Sequence, residues 1–147
     1  MSVQAPGCSL CDTGGGAVVW RNDRLRVVHA HEAGFPAFYR VIWNAHRAEF
    51  SDLSAGERRY CMDAVVAVEQ ALREQLTPAK INVASLGNMV PHVHWHVIAR
   101  FAWDSHFPAP VWAAAQRKTD EQQCAAVSAL LPPTQVLMAR KLALLDA

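Results

Sequence analysis

Three histidines at every second position, His92, His94 and His96, stand in the run Pro91-His92-Val93-His94-Trp95-His96-Val97-Ile98. Imidazole acts as a nucleophile, a general acid or base, or a metal ligand near neutral pH, because its reference pKa lies close by and either ring nitrogen can act. The spacing marks a site without choosing among these chemistries. A lone strand histidine is ordinarily a satisfied structural residue, but three in alternation, out of seven in the chain, are hard to explain as packing. Alternation with Val, Trp and Val predicts a strand, whose period of two sets successive imidazoles roughly 6.6 to 7 Å apart on one face. Val93, Trp95 and Val97 then turn into a core. A helix would pair His92 with His96 as in the zinc-protease motif, but that motif requires Glu where Val93 stands. Pro91 and the β-branched residues also favour the strand.

Two further groups carry chemistry. Cys8-Ser9-Leu10-Cys11 has the spacing that lets two thiolates reach one tetrahedral zinc, although the same residues also suit an N-terminal turn. Ser85-Leu86-Gly87-Asn88-Met89-Val90, next to the histidines, is a loop whose exposed backbone amides suit a phosphate.

These residues need a frame. Ala17–Trp20, Leu25–His29 and Phe38–Trp43 read as strands, and Lys80–Ala84 as a strand antiparallel to the histidine strand. A helix is predicted from about Ala55 to Leu76, opened by Ser54 and Glu57 as a capping box and buried along Tyr60, Ala64, Val65, Val68, Leu72 and Leu76. Thr77-Pro78 ends it. Residues 99–112 form a folded loop whose Trp103, Phe107 and Trp112 either cover a base or dimer surface or bury against the body. Residues 113–131 read as partly helical, Pro132-Pro133 as a break, and 134–145 as a last helix capped by Thr134. The expected fold is α+β: an antiparallel sheet of about five strands, one long helix packed on it, and C-terminal helices.

At 147 residues the chain is expected to form one domain, 1–147. It is 52% apolar, and a net charge of +1 from 14 basic and 13 acidic residues gives no electrostatic case for nucleic acid or a membrane surface. The first seven residues lack the basic start and apolar run of a secretory signal, so a cytoplasmic location is expected. Cys61 and Cys124 are isolated in segments that read as helical, which does not make a disulfide framework.

The run from Ala84 to Ile98 resembles the signature of the histidine-triad (HIT) hydrolases and transferases, His-apolar-His-apolar-His followed by two apolar residues, in a bacterial branch. The likeness spans about residues 8–112, leaving 113–147 as an extension. It implies a nucleotide hydrolase or nucleotidyltransferase that cleaves at the α-phosphate of a nucleoside phosphoramidate or dinucleoside polyphosphate through a nucleotidyl-histidine intermediate. His94 would be the nucleophile, oriented by the backbone carbonyl of His92; His96 would contact phosphate oxygens or assist the leaving group, and Asn88 would contact the phosphate. Met89 stands where many relatives carry Ser or Thr, His31 near where they place Asp or Asn for the ribose hydroxyls, and Phe38 where many have a further histidine. The galactose uridylyltransferase branch, which the N-terminus resembles, implies a structural zinc on Cys8, Cys11, His46 and His92, with no cofactor required for the chemistry. A homodimer is implied by resemblance alone.

Two other readings compete. Met89 and His31 motivate a nucleotide-binding module with little or no catalysis. The histidine cluster motivates a metalloenzyme with an open metal, which lacks a carboxylate partner within the motif.

Overall fold

Short β-branched runs separated by turns, followed by a single long amphipathic segment, dictate a sheet with a helix laid on one face. The computed structural model describes residues 3–147; Met1 and Ser2, which open the stretch read for a leader, lie outside the described residues. After the one-turn helix α1 (Ser9–Asp12) come β1 (Ala17–Arg21), β2 (Leu25–His29), β3 (Phe38–Trp43), α2 (Ala55–Leu76), β4 (Lys80–Ala84), β5 (His94–Arg100) and α3 (Glu121–Ala143). The strands form one antiparallel sheet in the order β1-β2-β3-β5-β4. No helix is long and apolar enough to cross a membrane among the described residues.

Helix α2 starts where the capping box places it: Ser54 Oγ accepts from the Glu57 N–H, and Glu57 reaches back to the Ser54 N–H. It packs on the face built from Leu25, Val27, Tyr39, Val41, Trp43, Ile81, Val97 and Ala99. The opposite face carries Arg26 and Val28 of β2, Phe38, Arg40 and Ile42 of β3, and His94, His96 and Ile98 of β5, aligned by the pairings Ile42 with His94, Arg40 with His96 and Phe38 with Ile98.

Two expectations are corrected. Pro132-Pro133 does not break the C-terminal segment: α3 runs unbroken through both, capped by Asp120, which accepts from the Gln123 N–H. Thr134 is no cap; its hydroxyl donates to the Leu130 carbonyl at 2.7 Å. Val127, Leu131, Met138 and Leu142 lie in one buried stripe packed in the same core as α2. At about 1.5 to 3 kcal/mol each, their burial matches or outweighs two interior prolines at roughly 3 kcal/mol each. Residues 113–120 are not helical.

The second correction concerns His92. β5 begins only at His94, and the chain bends at His92, whose N–H bonds the Val90 carbonyl. Val93 is held instead by Arg47 and Trp43, its N–H donating to the Arg47 carbonyl and its carbonyl accepting from the Trp43 N–H. The bend takes His92 out of the alternation, so two of the three imidazoles line the open cleft and the third lies against Cys8, Cys11 and His46.

Candidate active site

His94 and His96 sit on adjacent outward positions of β5, their ring centroids 5.1 Å apart and nearly perpendicular. They line a cleft of about 720 Å³ shared with Ser9, Leu10, Thr13 and Gly15 from the N-terminal segment, Arg40 from β3, residues 86–90 and Trp112. His94 Nδ1–H donates to the backbone carbonyl of His92 at 2.6 Å. That bond fixes the ring and its tautomer, leaving the Nε2 lone pair without a protein partner on a ring that lines the cleft. Burial pulls the His94 imidazole below its ordinary value, against the opposing bond to His92 and with a smaller push from Arg40, so it is a neutral base at physiological pH.

His96 is held differently. The rings of Phe38 and Trp112 stand edge-on to it at 5.4 and 5.3 Å, and its Nδ1 is buried with no hydrogen-bond partner. Burial, with His94 and Arg40 adding like charge, pushes it down to about 4. A histidine that resists protonation when folded makes the fold acid-sensitive: between its ordinary 6.5 and about 4 the unfolded chain takes up a proton that the native one refuses. Stability from this group is therefore complete above pH 6.5 and is lost as the pH falls through that window, by about 2 kcal/mol after allowance for solvent screening. Urea midpoints at pH 7 and 4.5 measure it. The drop should shrink in His96→Gln, and an equal drop in both proteins would refute the assignment.

The loop over the site provides donors. The backbone N–H groups of residues 86–90 make no hydrogen bonds among the described residues, and Gly87 turns with a φ of 84°. Asn88 and Met89 both line the cleft, Met89 at 94% exposure. His31 does not: it sits exposed beyond β2, with its ring 4.2 Å from that of His29.

Below the cleft, His92 joins Cys8, Cys11 and His46, whose ligand atoms lie within 4.8 Å of one another. His92 Nδ1 is 3.5 Å from each sulfur, and His46 Nδ1 is 3.5 Å from Cys11 Sγ. Metal bonds of about 2.3 Å to sulfur and 2.0 to 2.1 Å to nitrogen give tetrahedral sulfur–nitrogen edges of roughly 3.5 Å. The far side of the His92 ring is also set, Nε2–H donating to the Trp43 carbonyl at 2.5 Å. The donor set therefore fits zinc. Arg26, buried, ties the cysteine segment to the sheet through the carbonyls of Leu10 and Gly14 and the side chain of Asn44. Gly15 lies flat on β3 with a φ of 82°, and a Cβ there would come within 2.7 Å of Ile42.

Sequence reasoning did not single out Arg40. The signal was present: in Phe38-Tyr39-Arg40-Val41-Ile42-Trp43, a strand rich in β-forming residues, the one charged residue falls on the face opposite Tyr39, Val41 and Trp43. Trp112, named from sequence as a cover for a base or for the body, stands at the cleft, while Trp103 stacks on Phe101 and packs against the main core.

No curated protein matches the chain. Among solved structures it is similar to a histidine triad protein from Bradyrhizobium japonicum (24% identity, TM-score 0.72, covering 97% of this chain and 99% of that one). A histidine triad protein from Marinobacter aquaeolei VT8 shares 26% identity at a TM-score of 0.66, covering 86% of this chain and 93% of that one. A zinc-bound histidine triad family protein from Mycobacterium smegmatis shares the fold at 18% identity and a TM-score of 0.59, over 95% and 96% of the two chains. Residues 15–103 match the family model described as the HIT domain, and with more than half of its length so matched, the chain belongs to the HIT domain family.

Proposed function

We propose that the chain is a nucleotide hydrolase or nucleotidyltransferase that cleaves at the α-phosphate of a nucleoside phosphoramidate or dinucleoside polyphosphate through a nucleotidyl intermediate on His94. The observation that carries this reading is the 2.6 Å bond from His94 Nδ1–H to the His92 carbonyl, with Nε2 free on a cleft-lining ring. A neutral imidazole so held attacks phosphorus without first losing a proton from the attacking nitrogen. The α-phosphate lies against His94, its oxygens take hydrogen bonds from Asn88, the loop amides and His96, and such fixed donors contribute roughly 3 to 4 kcal/mol each when aimed at transition-state charge. Water or another acceptor then displaces the nucleotide from His94. Incubating the protein with nucleoside phosphoramidates and dinucleoside polyphosphates of each base, and following turnover and intact mass, tests the reading. A nucleotide-sized adduct on His94 is expected; no adduct and no turnover across all bases would reject it.

A second reading, a nucleotide-binding module, draws on exposed Met89 and on His31 lying away from the cleft. Mononucleotide binding without turnover would favour it.

Cys8, Cys11, His46 and His92 would hold a structural zinc in closed coordination, fixing the bend whose carbonyl orients His94. Cys11→Ser should lower zinc from about one per chain to under about 0.2, cost at least about 3 kcal/mol of stability, and slow turnover by about 10- to 100-fold. Metal analysis and denaturation on the same sample check this, and full zinc occupancy in the variant would sink it.

The same reading takes residues 1–147 as one domain, with α3 sharing the main core. It includes a two-fold homodimer, supported by the free edge of β4 and exposed Val83 and checked by light scattering. Cys61 and Cys124 as thiols, with Cys8 and Cys11 offered to zinc, suit a reducing compartment, here the cytoplasm.

A further inference from the structure

We propose that Arg40 is a specificity-determining residue that binds the leaving group, and that the substrates this chain prefers are those whose leaving group is itself a phosphate. The inference rests on the nucleotidyl-transfer reading above and narrows it to phosphoanhydride conjugates over phosphoramidates.

Arg40 lies directly across the sheet from His96 and is the one permanently charged side chain lining the cleft among the described residues. One terminal nitrogen, Nη1, donates to the Gly15 carbonyl at 3.0 Å; the other, Nη2, lies 3.4 Å from the carboxylate of Glu32, an exposed and weak partner. A guanidinium has five N–H donors, so three remain for a ligand on a side chain that is only 23% exposed. A partly buried cation held next to the reacting histidines, its one carboxylate partner among the described residues an exposed Glu32 at 3.4 Å, is an anion site that a ligand phosphate can share or take over.

The groups around it match one kind of leaving group. When His94 Nε2 bonds to the α-phosphorus, the bond to the bridging atom breaks and its electron pair goes to that atom. In a phosphoanhydride the bridging oxygen departs on a phosphate, stable as an anion, and needs charge neutralisation rather than a proton. In a phosphoramidate the bridging nitrogen needs a proton. Arg40 does not release one at usable pH, Met89 has none to give, and His96 is uncharged at neutral pH. Water then attacks the α-phosphorus, the P–N bond breaks, its electron pair returns to His94, and the surplus proton passes to solvent.

The test compares kcat/KM for matched pairs that share a nucleoside, a dinucleoside tetraphosphate against a 5′-phosphoramidate with a primary amine leaving group, for each of the four bases. Wild type should favour the tetraphosphate. Arg40→Gln should lose about 10- to 100-fold on the tetraphosphate and under about 3-fold on the phosphoramidate, and Arg40→Lys should recover part of the loss. Equal losses on both substrates, no loss on either, or a wild-type preference for the phosphoramidate would overturn the proposal while the His94 adduct still forms. Absence of any adduct or turnover in wild type would instead remove the reading on which it rests.

Discussion

His94→Ala is expected to give a folded, metal-binding chain that forms no nucleotide adduct and turns over at least about 10⁴-fold more slowly than wild type. The stability side of this expectation follows from what the ring does in the fold: it makes one hydrogen bond, to the His92 carbonyl, and otherwise lines an open cleft. The ring is 9% exposed and packs edge-on to His96, but it borders the cleft, so its removal lets water reach that carbonyl and the fold should lose about 1 to 2 kcal/mol. The catalytic side follows from the absence of a substitute. Among the described residues His96 is the only other imidazole on the cleft, but its Nδ1 is buried without a partner, and none of their carbonyls holds it in the tautomer an attacking nitrogen needs. Intact mass after quenching reads the adduct, and kcat on the same substrate reads the rate. An adduct that survived in His94→Ala would place the nucleophile elsewhere.

How legible this was from sequence varied by element, for physical reasons. Strands β1 to β4 and helix α2 were readable because each satisfies local rules at once: β-branched alternation, turn residues, and a capping box with a single apolar stripe. The histidine strand was readable in type but not in its start, since the alternation runs on through His92 while the backbone bends there to meet Cys8, Cys11 and His46. That bend depends on partners about 45 to 85 residues away in sequence, which no local pattern encodes. Resemblance supplied the four cluster residues, and the fold brings all four together. Helix α3 was misread because two prolines dominate a local reading, although the apolar spacing of Val127, Leu131, Met138 and Leu142 continues across them. Arg40 went unsingled because its meaning comes from register, which seats it opposite His96.

Register also explains the buried Arg100, and removing its counter-charge should cost the fold heavily. Arg100 ends β5 on the same face as His96 and is 2% exposed; it grips Asp104, 3% exposed, through Nε to Oδ2 at 2.8 Å and Nη2 to Oδ1 at 3.0 Å. Asp104 also accepts from the N–H groups of Phe101, His106 and Phe107, while Arg100 donates to Asn82 and to the Ala109 carbonyl. Burial works to raise the Asp104 carboxyl, but Arg100 and the backbone donors outweigh it and hold it low, so the carboxylate stays ionised. Together these bonds fold the segment that delivers Trp112 to the face of His96. Asp104→Ala would leave a guanidinium buried with no counter-charge and three N–H groups unpaired, a loss of about 3 to 5 kcal/mol. Asp104→Asn keeps an acceptor for the backbone but removes the charge, so its cost should fall between alanine and wild type. In the asparagine variant, loosening of the loop should raise KM more than it lowers kcat, because Trp112 lines the cleft but takes no part in the Nδ1–H bond that orients His94. Denaturant midpoints and steady-state kinetics on the two variants separate these effects. Equal stability of Asp104→Ala and wild type would mean that the ion pair does not hold the loop, and a pure kcat loss in Asp104→Asn would mean that the loop does more than seat the substrate.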